Sequence, residues 1–256
     1  MTSSYHPTHI PSKRNNGLLT SAQVHSLETR IQQVVIDRFL ALEDLSGTIS
    51  DVLDKLGISG TVGSSILVPT LPASRIVGTA VTVRNIPQEV SSFQSATAGK
   101  NRMAEVEGIY QADPGDVLVI QGLEDVSNMG GIMATLAKRQ KIAGAVVDGG
   151  IRDVGQSRRI DFPVWSRDMS PITGKWRCNT VEINGQVNIA GVSVRAGDLV
   201  IADETGTCFV PQAMVMRVLE MAEKITEIEA QIIKEIDGGI PLQDLVAKLY
   251  GPNEHR

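Results

Sequence analysis

Histidine is missing from the whole central chain. The four residues, His6, His9, His25 and His255, all lie near the termini. That excludes a histidine triad, an imidazole proton relay or a His-rich zinc site in the body of the protein. Cysteine is almost as scarce. Cys178 and Cys208 are far apart and no CxxC occurs, so neither a disulfide framework nor a zinc cluster is expected. No apolar run approaches the roughly 18 residues of a membrane span, and MTSSYHPTHIPSKRNNG at the start lacks the apolar stretch of a secretory signal. The expected setting is the cytoplasm, with no membrane contact. Positive charge is also short, at 24 Lys and Arg against 29 Asp and Glu for a net charge of −5. Direct nucleic-acid binding, which needs a clustered basic surface, is not expected.

What remains is an ordinary globular composition: 256 residues, 42% hydrophobic and 21% charged. This suffices for one large domain or two small ones burying roughly 70–75% of the unfolded surface. Any chemistry falls to carboxylates, arginine, backbone amides and a hard, oxygen-liganded cation such as Mg²⁺ or Mn²⁺.

Residues 1–17 are polar and read as a flexible arm. Helical periodicity begins near Ser21 and runs through SAQVHSLETRIQQVVIDRFLAL. A second short helix spans Thr48 to Leu56, with Ile49, Val52, Leu53 and Leu56 on one face and Gly57 as its stop. Strands are expected at Ser65–Val68 and Arg75–Val83, and a helix over Val90–Tyr110. A turn at Pro114-Gly115-Asp116 launches the strand Val117–Ile120. After a loop (Gln121–Gly130) comes a helix near Ile132–Gln140, an apolar strand Ala143–Val147, and a loop Asp148–Asp153. This is a βαβ unit with parallel strands, so the start of its helix and the loop after its second strand share the carboxyl edge of the sheet, where ligands bind. Pro163-Val164-Trp165 opens a β-rich stretch, and an amphipathic helix runs from about Gln212 to Ile236. The phrase GDVLVI (115–120) echoes GDLVIA (197–202), read as two similar strand entries.

Gly130 and Gly131 put unhindered amides at a helix start, an anion seat with Ile132 and Met133; alone, they would be only a flexible connection. Arg152 can fork onto a carboxylate or stabilise an enolate, and Asp153 can ligate a cation; alone, the two would be a surface ion pair. Their meeting at one sheet edge favours a functional site. Asp148 and Asp203-Glu204 are strand-end acids for which turn formation is at least as good a reading. Trp165 and Trp176 suit packing, and Lys138, Arg139 and Lys141 suit a helix C-terminus. Gly57–Gly63 follows a helix, and so is not a nucleotide loop.

The segments TISDVLDKLGISG, IVGTAVTV, PGDVLVI, GGIMATLAKRQKIAGAVVDGGIRD, FPVW and AGDLVIADETG resemble, in this order, the RraA-like family. That family includes the 4-hydroxy-4-methyl-2-oxoglutarate aldolases and the regulators of ribonuclease E activity. The resemblance covers roughly Thr48 to Gly239. It implies an α/β fold, a swivelling ββα sandwich with a central βαβ unit, a helical N-terminal segment and a long C-terminal helix. A single domain over 18–256 would follow the arm, assembled as a homotrimer or hexamer.

For activity the resemblance implies a divalent-metal-dependent lyase, a class II aldolase or oxaloacetate-type decarboxylase, acting on a small 2-oxo acid through a pyruvate enolate. Arg152 becomes substrate anchor, Asp153 metal ligand, and Gly130, Gly131, Ile132 and Met133 the seat for the substrate carboxylate. The aldolases' pattern is an acid, twenty residues, then Arg-Asp. The acid, which supports water on the metal, falls on Gly131 here. Glu124 or Asp125 could replace it, or Glu227 or Glu229 from a neighbouring subunit. The alternative is a non-catalytic binding protein that regulates a partner such as an RNA-degrading enzyme.

Overall fold

The computed structural model describes residues 16–250 and the backbone of Thr8–His9. Most of the expected arm at 1–17, and everything after 250, lies outside the described residues. The chain opens with β1 (Thr8–His9) and β2 (Thr29–Arg30), paired antiparallel. Helices α1 (Gln33–Leu40) and α2 (Leu45–Lys55) follow, then β3 (Thr61–Gly63), β4 (Val68–Pro69) and β5 (Ile76–Pro87). Short helices α3 (Ser92–Thr97) and α4 (Glu105–Gln111) precede β6 (Val117–Gln121), β7 (Ser127–Met129), α5 (Gly131–Arg139) and β8 (Gly144–Ile151). Next come α6 (Val154–Arg159), β9 (Val164–Met169), β10 (Cys178–Ile183) and the hairpin β11 (Val187–Ile189) and β12 (Val192–Val194). The last elements are β13 (Leu199–Ala202), β14 (Gly206–Val210), α7 (Val215–Asp237) and α8 (Leu242–Tyr250).

One mixed sheet organises the molecule, in the order β3-β14-β13-β5-β6-β8-β9-β4, with β10 also on β5 and β7 on β8. Its centre, β5-β6-β8-β9, is parallel, and β13, β14 and β4 pair antiparallel. The expected βαβ unit is β6-α5-β8. Its strands read as continuous apolar runs because both faces are covered. Leu118, Ile120, Ala145 and Val147 join a cluster with α4 and α5. Their neighbours Val117, Val119 and Val146 point the other way, into a cluster closed by Trp165 and the β11–β12 hairpin. A third cluster packs α1, α2 and α7 against β13 and β14. Strand β5 is long enough to serve several partners: 76–79 pair with β13, 80–84 with β6, and 83–87 with β10. The two GD phrases lead into β6 and β13, which flank β5 on opposite sides.

Several expectations need correction. The first helix starts at Gln33, not near Ser21. Residues 21–30 run partly extended because tertiary pairing overrides their periodicity: His25 N donates to Ile183 O at 3.0 Å, and Ile183 N to Gln23 O at 2.8 Å. Leu27 and Ile31 then enter two different cores. The stretch Val90–Tyr110 is not one helix. It breaks between α3 and α4, where Gly99 takes a left-handed φ of 62°. Ser65–Leu67 is a turn between β3 and β4. The loop expected at Asp148–Asp153 is mostly strand, since β8 continues to Ile151 beside β7 and β9. Helices α6 and α8 were not anticipated.

Candidate functional site

Pairing of β7 with β8, Ser127 opposite Gly150 and Met129 opposite Ile151, brings Gly130-Gly131 beside Arg152-Asp153. The Arg152 amide donates to Met129 O at 3.1 Å. Asp153 then turns the chain with φ 57° and ψ 34°, a left-handed conformation uncommon outside glycine and tolerated best by Asp and Asn. The turn lets Asp153 serve two helices. It is the residue from which α6 starts, with Gln156 N donating to its carbonyl at 2.8 Å. Its side chain meanwhile caps α5, whose own N-cap, Gly130, has no side chain to offer: Gly131 N donates to Asp153 Oδ2 at 3.0 Å. Arg152 Nε stands 3.6 Å from the same oxygen.

Arg152, Asp153 and Gly130–Met133 line one cavity of about 250 Å³. The sequence-predicted residues are thus brought together, with one difference. The Gly131 amide already has a carboxylate partner, so the open amides of the first turn are those of Ile132 and Met133. Asp148 does not belong here. It is committed elsewhere, accepting from Arg167 Nε and from Ala190 N at 2.7 Å each. A wider opening of about 690 Å³ lies between α5 and α6, sharing Gly131, Ile132 and Asp153 and adding Gln156 and Arg159.

Gly131 does not adopt a left-handed conformation, so backbone freedom is not what requires glycine. Packing is. A β-carbon at 131 would meet Gln156 Cγ at 3.0 Å and Asp153 Cβ at 3.1 Å. Glu124 and Asp125, the acids suggested from the preceding loop, do not line the cavity. Glu124 faces Arg167 at 3.6 Å, and the Asp125 amide donates to Asp168. Glu229 on α7, expected to act from a neighbouring subunit, lies in the field of Asp44 and Asp51 of its own chain. Glu227 lines a groove with Lys248.

The acid that does line the cavity is Glu105, the first residue of α4, joined by Lys175 from a 3-10 turn at Gly174–Trp176. Burial raises the Glu105 carboxyl above the ordinary glutamate range, against the pull of Lys175 and Arg152. No motif marks it in the sequence; an acid opening a short helix reads as ordinary dipole compensation.

Asp203 is structural. It accepts from Ser46 N at 2.8 Å, Ser46 Oγ at 2.7 Å and Thr205 N at 2.8 Å. Burial would raise its carboxyl, but these hydrogen bonds outweigh burial and hold it low. Trp165 is fully buried, its Nε1 donating to Asp203 O at 2.7 Å. Both cysteines are buried and free, their thiols pushed by burial up to about 12 (Cys178) and about 11 (Cys208), which makes them inert.

Fold and cavity define an α/β protein with a cavity at the carboxyl edge of a parallel sheet, the edge where ligands of such folds bind. Within that class the chain belongs to the RraA-like family, whose Aldolase/RraA model matches residues 46–209. A protein of Halalkalibacterium halodurans described as "Putative 4-hydroxy-4-methyl-2-oxoglutarate aldolase" is 33% identical over 178 residues, 69% of this chain and 77% of that one. Protein DlpA of Legionella pneumophila is 29% identical over 200 residues, 77% of this chain but 31% of the longer relative. Among solved structures, an uncharacterized protein from Pseudomonas syringae superposes with a TM-score of 0.72 at 29% identity, covering 86% of this chain and 96% of that one. Streptomyces coelicolor RraAS2, described as an unusual member of the RNase ES inhibitor RraA family, gives 0.65 at 25% identity, covering 78% and 96%. The α/β architecture and the family resemblance expected from the sequence hold. No helix among the described residues is long and apolar enough to cross a membrane.

Proposed function

We propose that this chain is a carbon–carbon lyase of the aldolase or decarboxylase kind, dependent on Mg²⁺ or Mn²⁺ and acting on a small 2-oxo acid. The observation that carries this reading is the convergence of Arg152, Asp153 and the open end of α5 on one cavity. The substrate carboxylate sits over the Ile132 and Met133 amides, at the positive end of the helix. The Arg152 guanidinium faces the keto oxygen, where it stabilises the negative charge of the enolate left when the C–C bond breaks.

No group of three or more His, Cys, Asp or Glu side chains among the described residues is placed to hold a metal. Asp153 offers a single oxygen, Oδ1, because Oδ2 is engaged by Gly131 N. That donor set fits a cation held by one carboxylate that keeps several waters and takes its other oxygens from substrate, as Mg²⁺ commonly does. Such a cation supplies Lewis-acid stabilisation at the keto oxygen.

A second reading, a binding protein that regulates a partner, is favoured by Gly131, which removes the acid of the aldolase pattern. A homo-oligomer, trimer or hexamer, belongs to either reading and is supported by apolar surface near the cavity: Ile132 is 76% exposed and Met169 56%. Light scattering on the purified protein tests it, and a monomer at micromolar concentration counts against it. The functional test is pyruvate release from 4-hydroxy-4-methyl-2-oxoglutarate and from oxaloacetate, with and without Mg²⁺ or Mn²⁺. Metal-dependent turnover lost in Arg152→Ala supports the lyase. No turnover on either substrate moves the conclusion to the binding protein.

A further inference from the structure

We infer that Glu105 is the acid/base residue of the cavity, the group that moves the substrate proton. Its placement is fixed from both sides. The Ala104 amide donates to Thr180 Oγ1 at 2.8 Å, Thr180 Oγ1 donates to Asn85 Oδ1 at 2.7 Å, and Thr180 N returns to Arg102 O at 3.0 Å. This lattice, buried at Asn85 and Thr180, pins the entry of α4 to β10 and β5. Glu105 therefore lines the cavity from the first turn of a pinned helix, not from a loop.

Its neighbour Glu107 shows the contrast. Glu107 is fully buried and saturated, accepting from Asn16 N at 3.0 Å and from Leu18 N at 3.3 Å. Glu105 instead lines open space with the two cations Arg152 and Lys175. The charged and titratable groups around it are few. They are Arg152, Lys175 and Asp153, which share the cavity lining, and the inert Cys178 thiol on β10. On the packed elements, Arg84 of β5 is paired with Glu182 of β10 at 2.9 Å, and Lys138 and Arg139 stand at the far end of α5. Burial lifts the carboxyl above the ordinary glutamate range, which makes its carboxylate a stronger base than that of an exposed glutamate.

The step rests on the lyase reading. In the cleaving direction, the Glu105 carboxylate takes the hydroxyl proton of a 4-hydroxy-2-oxo acid. The C3–C4 bond breaks, its electron pair passes into the enolate of the 2-oxo product, and C4 leaves as a carbonyl. The Glu105 carboxyl then returns its proton to C3, giving pyruvate and restoring the carboxylate. With pyruvate alone, Glu105 removes a methyl proton and the enolate recovers one that has exchanged with solvent.

Exchange of the pyruvate methyl protons in D₂O, followed by proton NMR with Mn²⁺ or Mg²⁺, isolates this step from bond cleavage. Glu105→Gln is expected to slow exchange by about 10²–10⁴-fold and to remove the rise in wild-type rate with pH. Pyruvate affinity and Mn²⁺ affinity, read by calorimetry, should stay within about twofold. Wild-type exchange in Glu105→Gln overturns the proposal and leaves the lyase intact. Loss of Mn²⁺ binding in that variant overturns it too, making Glu105 a cation ligand. A wild-type protein that neither binds nor exchanges pyruvate overturns the lyase, and this step with it. Should Glu105→Gln melt early, Glu105→Asp carries the test: a normal melt with exchange at least tenfold slower supports the proposal, and full exchange overturns it.

Discussion

Arg30 meets Asp116 where β2 passes the turn before β6, and Arg152 precedes Asp153 at the end of β8; the two arginine–aspartate pairs are put together in opposite ways. Each nitrogen of the Arg30 guanidinium is engaged. Its Nε donates to Asp116 Oδ2 at 2.8 Å, one Nη lies 2.9 Å from Asp113, and the other donates to Gln111 O at 2.9 Å. Asp113 N adds a hydrogen bond to Asp116 Oδ2 at 2.7 Å. Arg152 and Asp153 are 3.6 Å apart, with side chains 34% and 52% exposed and a left-handed backbone between strand and helix. A pair whose guanidinium nitrogens are all engaged holds structure; a pair with nitrogens to spare can bind something else.

Alanine substitution gives the largest test of that contrast. Arg30→Ala leaves Asp116 and Asp113 without their cation in a buried setting and is expected to cost about 3–5 kcal/mol, read by urea denaturation. Arg152→Ala is expected to cost less than about 1 kcal/mol while abolishing oxo-acid turnover. The reverse order of stabilities would break the comparison.

The second test uses pH. Burial pushes the Asp116 carboxyl up to about 6, against Arg30 and the Asp113 amide, which pull it down. A carboxyl that holds its proton more tightly folded than unfolded contributes stability at low pH, and the contribution declines as pH rises through its folded pKa. The unfolding free energy of wild type minus that of Asp116→Asn should therefore fall between about pH 4 and pH 6, by on the order of 3 kcal/mol. A flat difference would mean the ion pair cancels burial, and a rising one that it outweighs burial.

Third is Gly131, where the open pair is crowded by its own neighbours. Gly131→Ala drives a β-carbon against Gln156 and Asp153 and is expected to cost about 1–3 kcal/mol, most of it recovered in the Gly131→Ala/Gln156→Ala double variant. In the Gln156→Ala background, Gly131→Asp should raise metal-dependent lyase activity by restoring the acid of the family pattern, on the order of tenfold. A variant that folds normally without gain would show that the missing acid does not limit turnover.

The smallest structural effect is expected at Asp153. Asp153→Asn keeps tolerance of the left-handed backbone and an oxygen for Gly131 N–H, so stability should change by less than about 1 kcal/mol. Mn²⁺ binding should nevertheless weaken by on the order of tenfold or more, measured calorimetrically.

The sequence carried the parallel unit because β6 and β8 are short apolar runs with brief connections, and parallel geometry then forces the helix start and the following loop to one edge. It misled at Ser21–Arg30, where Val24, Leu27 and Ile31 have helical spacing but are drawn out by Ile183 and two separate cores. In the site, Arg152 and Asp153 stood out through motif and position. The capping of α5 by Asp153 did not, because it depends on one residue adopting a positive φ. Glu105 was invisible for a different reason: its meaning comes from Thr180 and Asn85, roughly 75 and 20 residues away in sequence, and no local pattern encodes such a meeting.

The way the core between α1, α2 and α7 is completed also bears on how the protein is made. Helices α1 and α2 emerge early, yet the apolar faces they bury are supplied by β13, β14 and α7, more than 140 residues further on. A growing chain therefore presents Phe39, Leu45, Ile49 and Leu53 without their partners through most of synthesis, while β6, α5 and β8 can already pack locally. At ordinary translation speeds of about 5–20 residues per second the delay is on the order of ten seconds. Over that interval the nascent amino-terminal third depends on the ribosome's surroundings, or on chaperones that recognise exposed aliphatic helices, to stay out of aggregates.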